Sequence, residues 1–290
     1  MSSSCRIDIA RFARFGAVLL ALLAGLGGGR PADAQEAAPA ALPALRVCAE
    51  PDNLPYSRED QSGFENRIAR LLADDLQWPL QYEWLPDRRG FVRKTLGARA
   101  CDVIIGVPVD DERVLTTRPY YRSSYVFVQR ASHARDASAL RSFDDDRLPA
   151  LRVGVQLVGN DLAATPPGYA LARHGAVRNV VGFTLYGDGP PARRMVDAVA
   201  RGELDAALAW GPQAGYFAAR ATPALELTPA AAPADMDLPF AFSIAMGVRK
   251  GDRAMKARLD DFLLRRAADI DRILDAYAVP RLPSTGLERP

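Results

Sequence analysis

The stretch IIGVPVDDERVLTTRPYYRSSY (104–125) concentrates the side chains best suited to hold a ligand. It runs from the end of an apolar strand into a charged turn and then to an aromatic pair. Arg113 can offer a forked, permanently charged donor to a carboxylate. It can equally close a local ion pair with Asp110 or Asp111. Tyr120 and Tyr121 either line a cleft or pack beneath it. Arg88 and Arg89 sit in a strand-to-helix loop, as ligand contacts or as solvated surface. Catalytic chemistry finds less support. A Ser, Cys or Thr nucleophile needs a nearby base, but there is no GxSxG elbow, and the only histidines, His133 and His174, fall on no strand end. The acids Asp110–Asp111 and Asp144–Asp146 read as solvated turns. There is no GxxxxGK[ST] loop, and the lone GxG at 187–189 lacks a strand–turn–helix setting. Two histidines without a CxxC fall short of a zinc ligand set. The residues therefore point to binding rather than catalysis, with neither metal nor cofactor.

The elements that must position these side chains begin after an export signal. Arg6, Arg11 and Arg14 precede an apolar run from Phe15 to Gly29, and Ala32-Asp33-Ala34 offers a small-x-small cleavage site. The run is shorter than a membrane span of ~20 residues, so a signal peptide over 1–34 and a periplasmic product are expected. Those 34 residues hold four of the 37 basic and two of the 35 acidic residues, so the remainder is neutral. Neutrality gives no reason to expect nucleic acid or an anionic membrane as partner. With 49% hydrophobic and 25% charged residues, the composition is that of a folded globular protein.

Past an Ala/Pro-rich lead (35–44), short apolar runs alternate with amphipathic stretches. LRVCAE (45–50), LQYEWLP (80–86) and CDVIIGVP (101–108) read as strands, with helices over 64–77 and 91–98 between them. The order repeats with strands YVFV (125–128), LRVGVQLV (151–158), NVVGFTLY (179–186) and LDAALAW (204–210). Helices are expected over 161–174, interrupted at Pro166-Pro167, and over 191–201. FSIAMGVRK (242–250) is a final strand, helices follow over 252–278, and the Pro-rich tail from Pro280 reads as loosely held. Strand–helix alternation implies parallel sheets. The expected fold is α/β with two lobes, each a mainly parallel sheet flanked by helices: residues 45–121 plus 243–290 in one, 122–242 in the other, joined by two hinge crossings near 121–124 and 239–243. Ligands of such sheets bind beyond the carboxyl ends of the strands, in the crevice between lobes. That rule nominates Asn53, Tyr56, Arg88, Arg89, Arg113, Asn160, Trp210 and Gln213, and the aromatic pair beside the hinge adds Tyr120.

Cys48 and Cys101 would meet an oxidising compartment after export. Cys48 lies in the first strand and Cys101 at the start of the third. If Glu50 levels with Gly106, the pair is offset by a few residues, which puts its Cα atoms near the limit of about 7 Å that a bridge allows. The sequence leaves a bridged and a free pair both open.

These residues resemble a type II periplasmic solute-binding protein of the polar-amino-acid kind. The likeness rests on GFENRIA (63–69), DDER (110–113) and RPYY (118–121). It implies that Arg113 occupies the place of the family's carboxylate-binding arginine. The departures are informative: Gly106 and Pro108 replace small polar residues, and Trp210 falls where the family places the acid that receives an α-ammonium group. LRVCAEPDNLPYS, RRGFVRKTL, ACDVIIGVP, VLTTRPYYRSSYVFVQR, VGVQLVGNDLAATPPGYALARHG and AWGPQAGYF together are similar to a narrower branch. These are the J proteins associated with pyrroloquinoline-quinone-dependent methanol dehydrogenases. That resemblance spans nearly all of 45–280. It implies a monomeric accessory protein whose partner is the dehydrogenase, with its cytochrome c as a further partner. A solute-binding protein serving an importer of a small organic acid or amino-acid-like ligand is the alternative.

Overall fold

The computed structural model describes residues 43–87, 89–131, 139–158, 163–186 and 188–283. The expected signal peptide and nearly all of the expected lead lie outside them, as do Arg88 and Asn160. None of the described helices is long and apolar enough to cross a membrane.

Three strands lie parallel in the order β4 (Leu80–Trp84), β1 (Leu45–Ala49), β5 (Val103–Pro108). The return strand β12 (Ala241–Val248) runs antiparallel beside β5, and β6 (Leu115–Arg130) runs antiparallel beside β12. β6 then continues into a second sheet. There it pairs antiparallel with β10 (Ala206–Trp210) and β11 (Leu225–Pro229). β7 (Val153–Val158) and β9 (Val180–Phe183) extend that sheet in parallel with β10. The molecule is thus a two-lobed α/β protein whose mixed sheets share β6. Short pairings add β2 (Asp52–Asn53) with β3 (Ser57–Arg58) and β8 (Ala163–Ala164) with β7.

Helix α1 (Phe64–Leu76) places Phe64, Ile68, Ala69, Leu72 and Ala73 on its buried face, the 3.6-residue pattern expected of the sequence. They pack with Leu45, Val47, Val103 and Ile105, and with α6 (Arg253–Arg265) and α7 (Ala267–Ala276). In the second sheet the period of two sorts β10 into two layers. Ala206 and Leu208 join the core beneath α3 (Pro166–Arg173), whereas Ala207 and Ala209 face α4 (Pro191–Arg201) and α5 (Gly211–Ala218). α4 starts on a proline and ends at Gly202, which takes φ 76°, a left-handed conformation that suits glycine at a helix end.

Three expectations about elements need revision. The Pro166-Pro167 pair opens α3 instead of interrupting it, because proline at a first helical turn lacks only an amide that has no partner there. The strand expected at 125–128 is the far half of a 16-residue strand that also contains the RPYY motif. Pro119 is tolerated because its pairing with Ala245 adjoins a register shift. The tail after Val279 is tied down at first: the Ser123 hydroxyl donates to the Pro280 carbonyl at 2.6 Å, and the Leu282 amide donates to the Arg122 carbonyl.

Candidate functional site

A cavity of about 340 Å³ opens where β1, β5 and β10 end and where β6, beside β12, passes from one sheet to the other. Each strand contributes what it carries at its carboxyl end: Ala49 from β1 with Glu50 just after it, Gly106 and Pro108 from β5, Trp210 from β10. The crossing strands supply Tyr121, Tyr125, Phe242 and Ile244. Asn53 and Tyr56 enter from the β2–β3 turn, and Phe91 from α2 (Phe91–Lys94).

Trp210 organises the aromatic wall. Its ring meets Tyr125 at 5.4 Å and Phe242 at 5.6 Å, both edge-on, a favoured geometry for aromatic pairs. Its side chain also lies beside that of Tyr56, on the β2–β3 turn. Tyr56 in turn sits edge-on to Phe64 at 5.3 Å. Burial raises the pKa of the Tyr56 and Tyr121 phenols, with neighbouring anionic groups adding, so both stay neutral.

The polar side of the cavity is acidic. Glu65, in the first turn of α1, lies against Gly106: a Cβ added there would come within 2.1 Å of the Glu65 Oε1. The missing side chain therefore makes room for the carboxyl. Burial lifts the Glu65 pKa to about 8, and the nearby Asp87 and Glu50 carboxylates push the same way. Among the described residues, no Lys, Arg or His lines this cavity.

Of the residues nominated from the sequence, Asn53, Tyr56 and Trp210 line this cavity. Tyr120 packs against the first-lobe core, its hydroxyl donating to the Ile105 carbonyl at 3.1 Å. Gln213 lies in α5 and is not among the lining residues. Arg89 and Arg113 line a different cavity of about 610 Å³, with Arg93, Arg99, Arg249 and Lys250. The Arg113 guanidinium forks onto Asp111 at 2.9 and 2.7 Å, its own side chain 68% exposed and that of Asp111 only 6%. Cys48 and Cys101 form a disulfide, with Cα atoms 5.5 Å apart. In the strands Cys48 stands opposite Ile104. Cys101 precedes β5, so the register of the ladder does not set its position.

Glu65, Tyr125 and Phe242 were not nominated. Glu65 had a signal: four residues before Ala69 it shares that buried side of α1. Tyr125 and Phe242 belong to strands read as crossings, where the sequence does not reveal which faces turn inward.

A sequence profile for bacterial extracellular solute-binding proteins, family 3, matches residues 45–279. The chain is 37% identical over 283 residues to the protein MoxJ of Methylorubrum extorquens, covering 87% of this chain and 89% of that one. It is 29% identical over 248 residues to the MoxJ of Paracoccus denitrificans, covering 83% and 90%. The crystal structure of the periplasmic binding protein XoxJ from Methylobacterium extorquens superposes with a TM-score of 0.68 at 34% identity, covering 83% of this chain and all of that one. Fold and homology are those of binding proteins rather than of a catalytic family. Two lobes around a strand-end cavity, with kinship along nearly their whole length, place the chain among the bacterial extracellular solute-binding proteins of family 3, as a homologue of MoxJ and XoxJ.

Proposed function

We infer that the chain is a non-catalytic periplasmic accessory protein of a pyrroloquinoline-quinone-dependent methanol dehydrogenase system, working through its interlobe cleft or outer surface. The observation that carries this reading is the likeness to MoxJ over 87% of the chain. The altered cleft supports it. The arginine matching the family's carboxylate receptor sits outside the cavity on Asp111, and an indole stands where an acid would receive an amino acid's ammonium group. A zwitterionic amino acid would find neither of its usual partners. The dehydrogenase is the expected partner, its cytochrome c a further one, and the chain acts as a monomer.

Affinity-tagged protein recovered from methanol-grown cells tests this. The dehydrogenase should co-elute, and deletion of the gene should lower dehydrogenase activity severalfold. No association together with unchanged activity would overturn the reading. The cavity itself keeps a second reading in play, an importer's solute receptor closing around its ligand. A solute at 100 times its dissociation constant would then stabilise the fold by about 2.7 kcal/mol.

A further inference from the structure

The cavity between the lobes has two kinds of wall. One is aromatic: Trp210, Tyr125, Phe242, Tyr56 and Tyr121. The other carries carboxyls from three separate elements: Glu65 from α1, Glu50 from the end of β1 and Asp87 from the loop after β4. Aromatic faces attract cations through their quadrupole, most strongly at tryptophan. A carboxyl drawn out of water gains most from a positive partner. Among the described residues, no three acid, thiol or imidazole groups come together as metal ligands, so the arrangement suits an organic cation rather than a bare ion. The volume of about 340 Å³ falls at the small end of ligand sites, roughly 300–1,000 Å³.

We propose that this cavity takes a small organic cation that carries no carboxylate, an alkylammonium, seated against the Trp210 and tyrosine faces with Glu65 as its charge partner. The inference rests on the cleft-binding part of the function proposed above and is independent of the dehydrogenase. Arg113, which the resemblance matches to the family's carboxylate-binding arginine, faces the other cavity, so an amine is accepted where an amino acid is not. Trp210 thereby replaces one mode of ammonium recognition by another.

The seating has a proton attached to it. Glu65 is faced by Glu50 and Asp87, and by the phenols of Tyr56, Tyr82, Tyr120 and Tyr121. Asp87 also interacts with Arg113. Without a cation the Glu65 carboxyl is protonated at neutral pH. A cation beside it favours the carboxylate, so binding releases the proton to solvent and tightens as pH rises.

Calorimetric titration of the whole exported chain with tetramethylammonium chloride, at constant ionic strength, tests this. Affinity should rise by up to about tenfold per pH unit from pH 6 toward pH 8 and then level. The heat should vary with the buffer's ionisation enthalpy, reporting the released proton. Glu65→Gln should weaken binding and abolish both the pH dependence and the proton release. Trp210→Ala should weaken it about tenfold, and Trp210→Phe, which keeps a ring and guards against a folding defect, by less. Glycine and acetate should give no heat. Three results would overturn the proposal: no tetramethylammonium binding by protein of native circular dichroism at any pH, equal affinity at pH 6 and 9, or capture of acetate instead. Co-elution of the dehydrogenase in those circumstances would leave the accessory role standing, and its loss would leave the ligand class standing.

Discussion

Two cavities flank one small apolar cluster, and they differ in charge. The cluster comprises the Cys48–Cys101 bridge with Phe91, Leu96, Ile104, Val107 and Val114. Phe91 and Val107 line the acidic, aromatic cleft, whereas Leu96 and Val114 line the recess with its six cations. Residues adjacent in sequence are parted by this partition: Asp87 faces the cleft, Arg89 the recess, and Phe91 the cleft again. Proximity along the chain is thus a poor guide to which cavity a charge serves. The cations in the recess are partly neutralised: Arg113 by Asp111, and Arg249 by Asp102 and Asp252. Arg89, Arg93, Arg99 and Lys250 add further positive charge to a surface open to solvent. The cleft carries the opposite charge, and burial keeps one of its acids, Glu65, protonated.

Breaking the partition should have the largest effect. The bridge joins residues 53 apart, and closing such a loop removes unfolded-state entropy equivalent to about 4 kcal/mol. Cys48→Ser combined with Cys101→Ser should lower stability to urea by about that amount, and reductant should do the same to the wild type. An unchanged midpoint would show that the apolar cluster holds the two cavities apart unaided.

The next test addresses the cleft alone. Folded, the Glu65 carboxyl keeps its proton up to about pH 8; unfolded, it releases it near its ordinary value of 4.5. Between those values the folded state binds the additional proton, so stability falls as pH rises, at no more than about 1.4 kcal/mol per unit, and flattens above. Discounted for water reaching the cavity, the loss from pH 5 to 8 should be about 3 kcal/mol. Glu65→Gln should remove this slope in urea titrations at pH 5, 6.5 and 8. A wild type equally stable at all three would mean that the carboxyl is hydrated and ionised.

What the sequence made legible follows from what each element depends on. α4 was readable to the residue because its signals are local: Pro191 at its start, Met195, Val196 and Val199 on one face, Gly202 at its end. The two-lobed order was readable because periodicity records burial. β6 was not readable as one strand, since Pro119 mimics a turn and the compensating register shift involves β12, more than a hundred residues away. The cleft was legible at Asn53, Tyr56 and Trp210, which follow or end strands as the carboxyl-end rule requires. Arg113 also follows a strand, yet the turn at 109–114 folds its side chain back onto Asp111. The rule locates a loop; it does not say which side of the loop faces the ligand.

A smaller effect is expected at the recess. Asp102 accepts from Arg46 on β1 at 2.9 and 2.8 Å and from Arg249 beyond β12 at 2.9 Å, tying three strands together. Burial pushes its pKa up, but the hydrogen bonds and charges of the two arginines prevail and hold it below the usual range. The stability it adds is therefore present above its unfolded pKa and lost as pH falls through the folded value. Its side chain is 16% exposed, between the surface and buried cases, so Asp102→Asn should cost about 2 kcal/mol at pH 7. The loss should shrink below pH 4 in acid titrations followed by circular dichroism. A cost that persisted there would mean that packing, not charge, makes Asp102 matter.

The smallest expected change is the sharpest test of how the two cavities divide their labour. Arg113 is mostly exposed, and its bond to Asp111 spans one turn. Exposed pairs of this kind contribute at most about 1 kcal/mol, so Arg113→Ala should shift the urea midpoint only slightly. It should also leave tetramethylammonium affinity within about twofold of wild type, because screening weakens a charge outside the cleft. A receptor arginine that swings inward to grip a carboxylate would behave otherwise. Its removal would then abolish binding of a small organic acid while leaving stability intact. Titrating acetate and tetramethylammonium into both proteins decides between them. If the variant loses acetate binding that the wild type possesses, Arg113 belongs to the cleft after all, and the division of charge between the two cavities describes only the open protein.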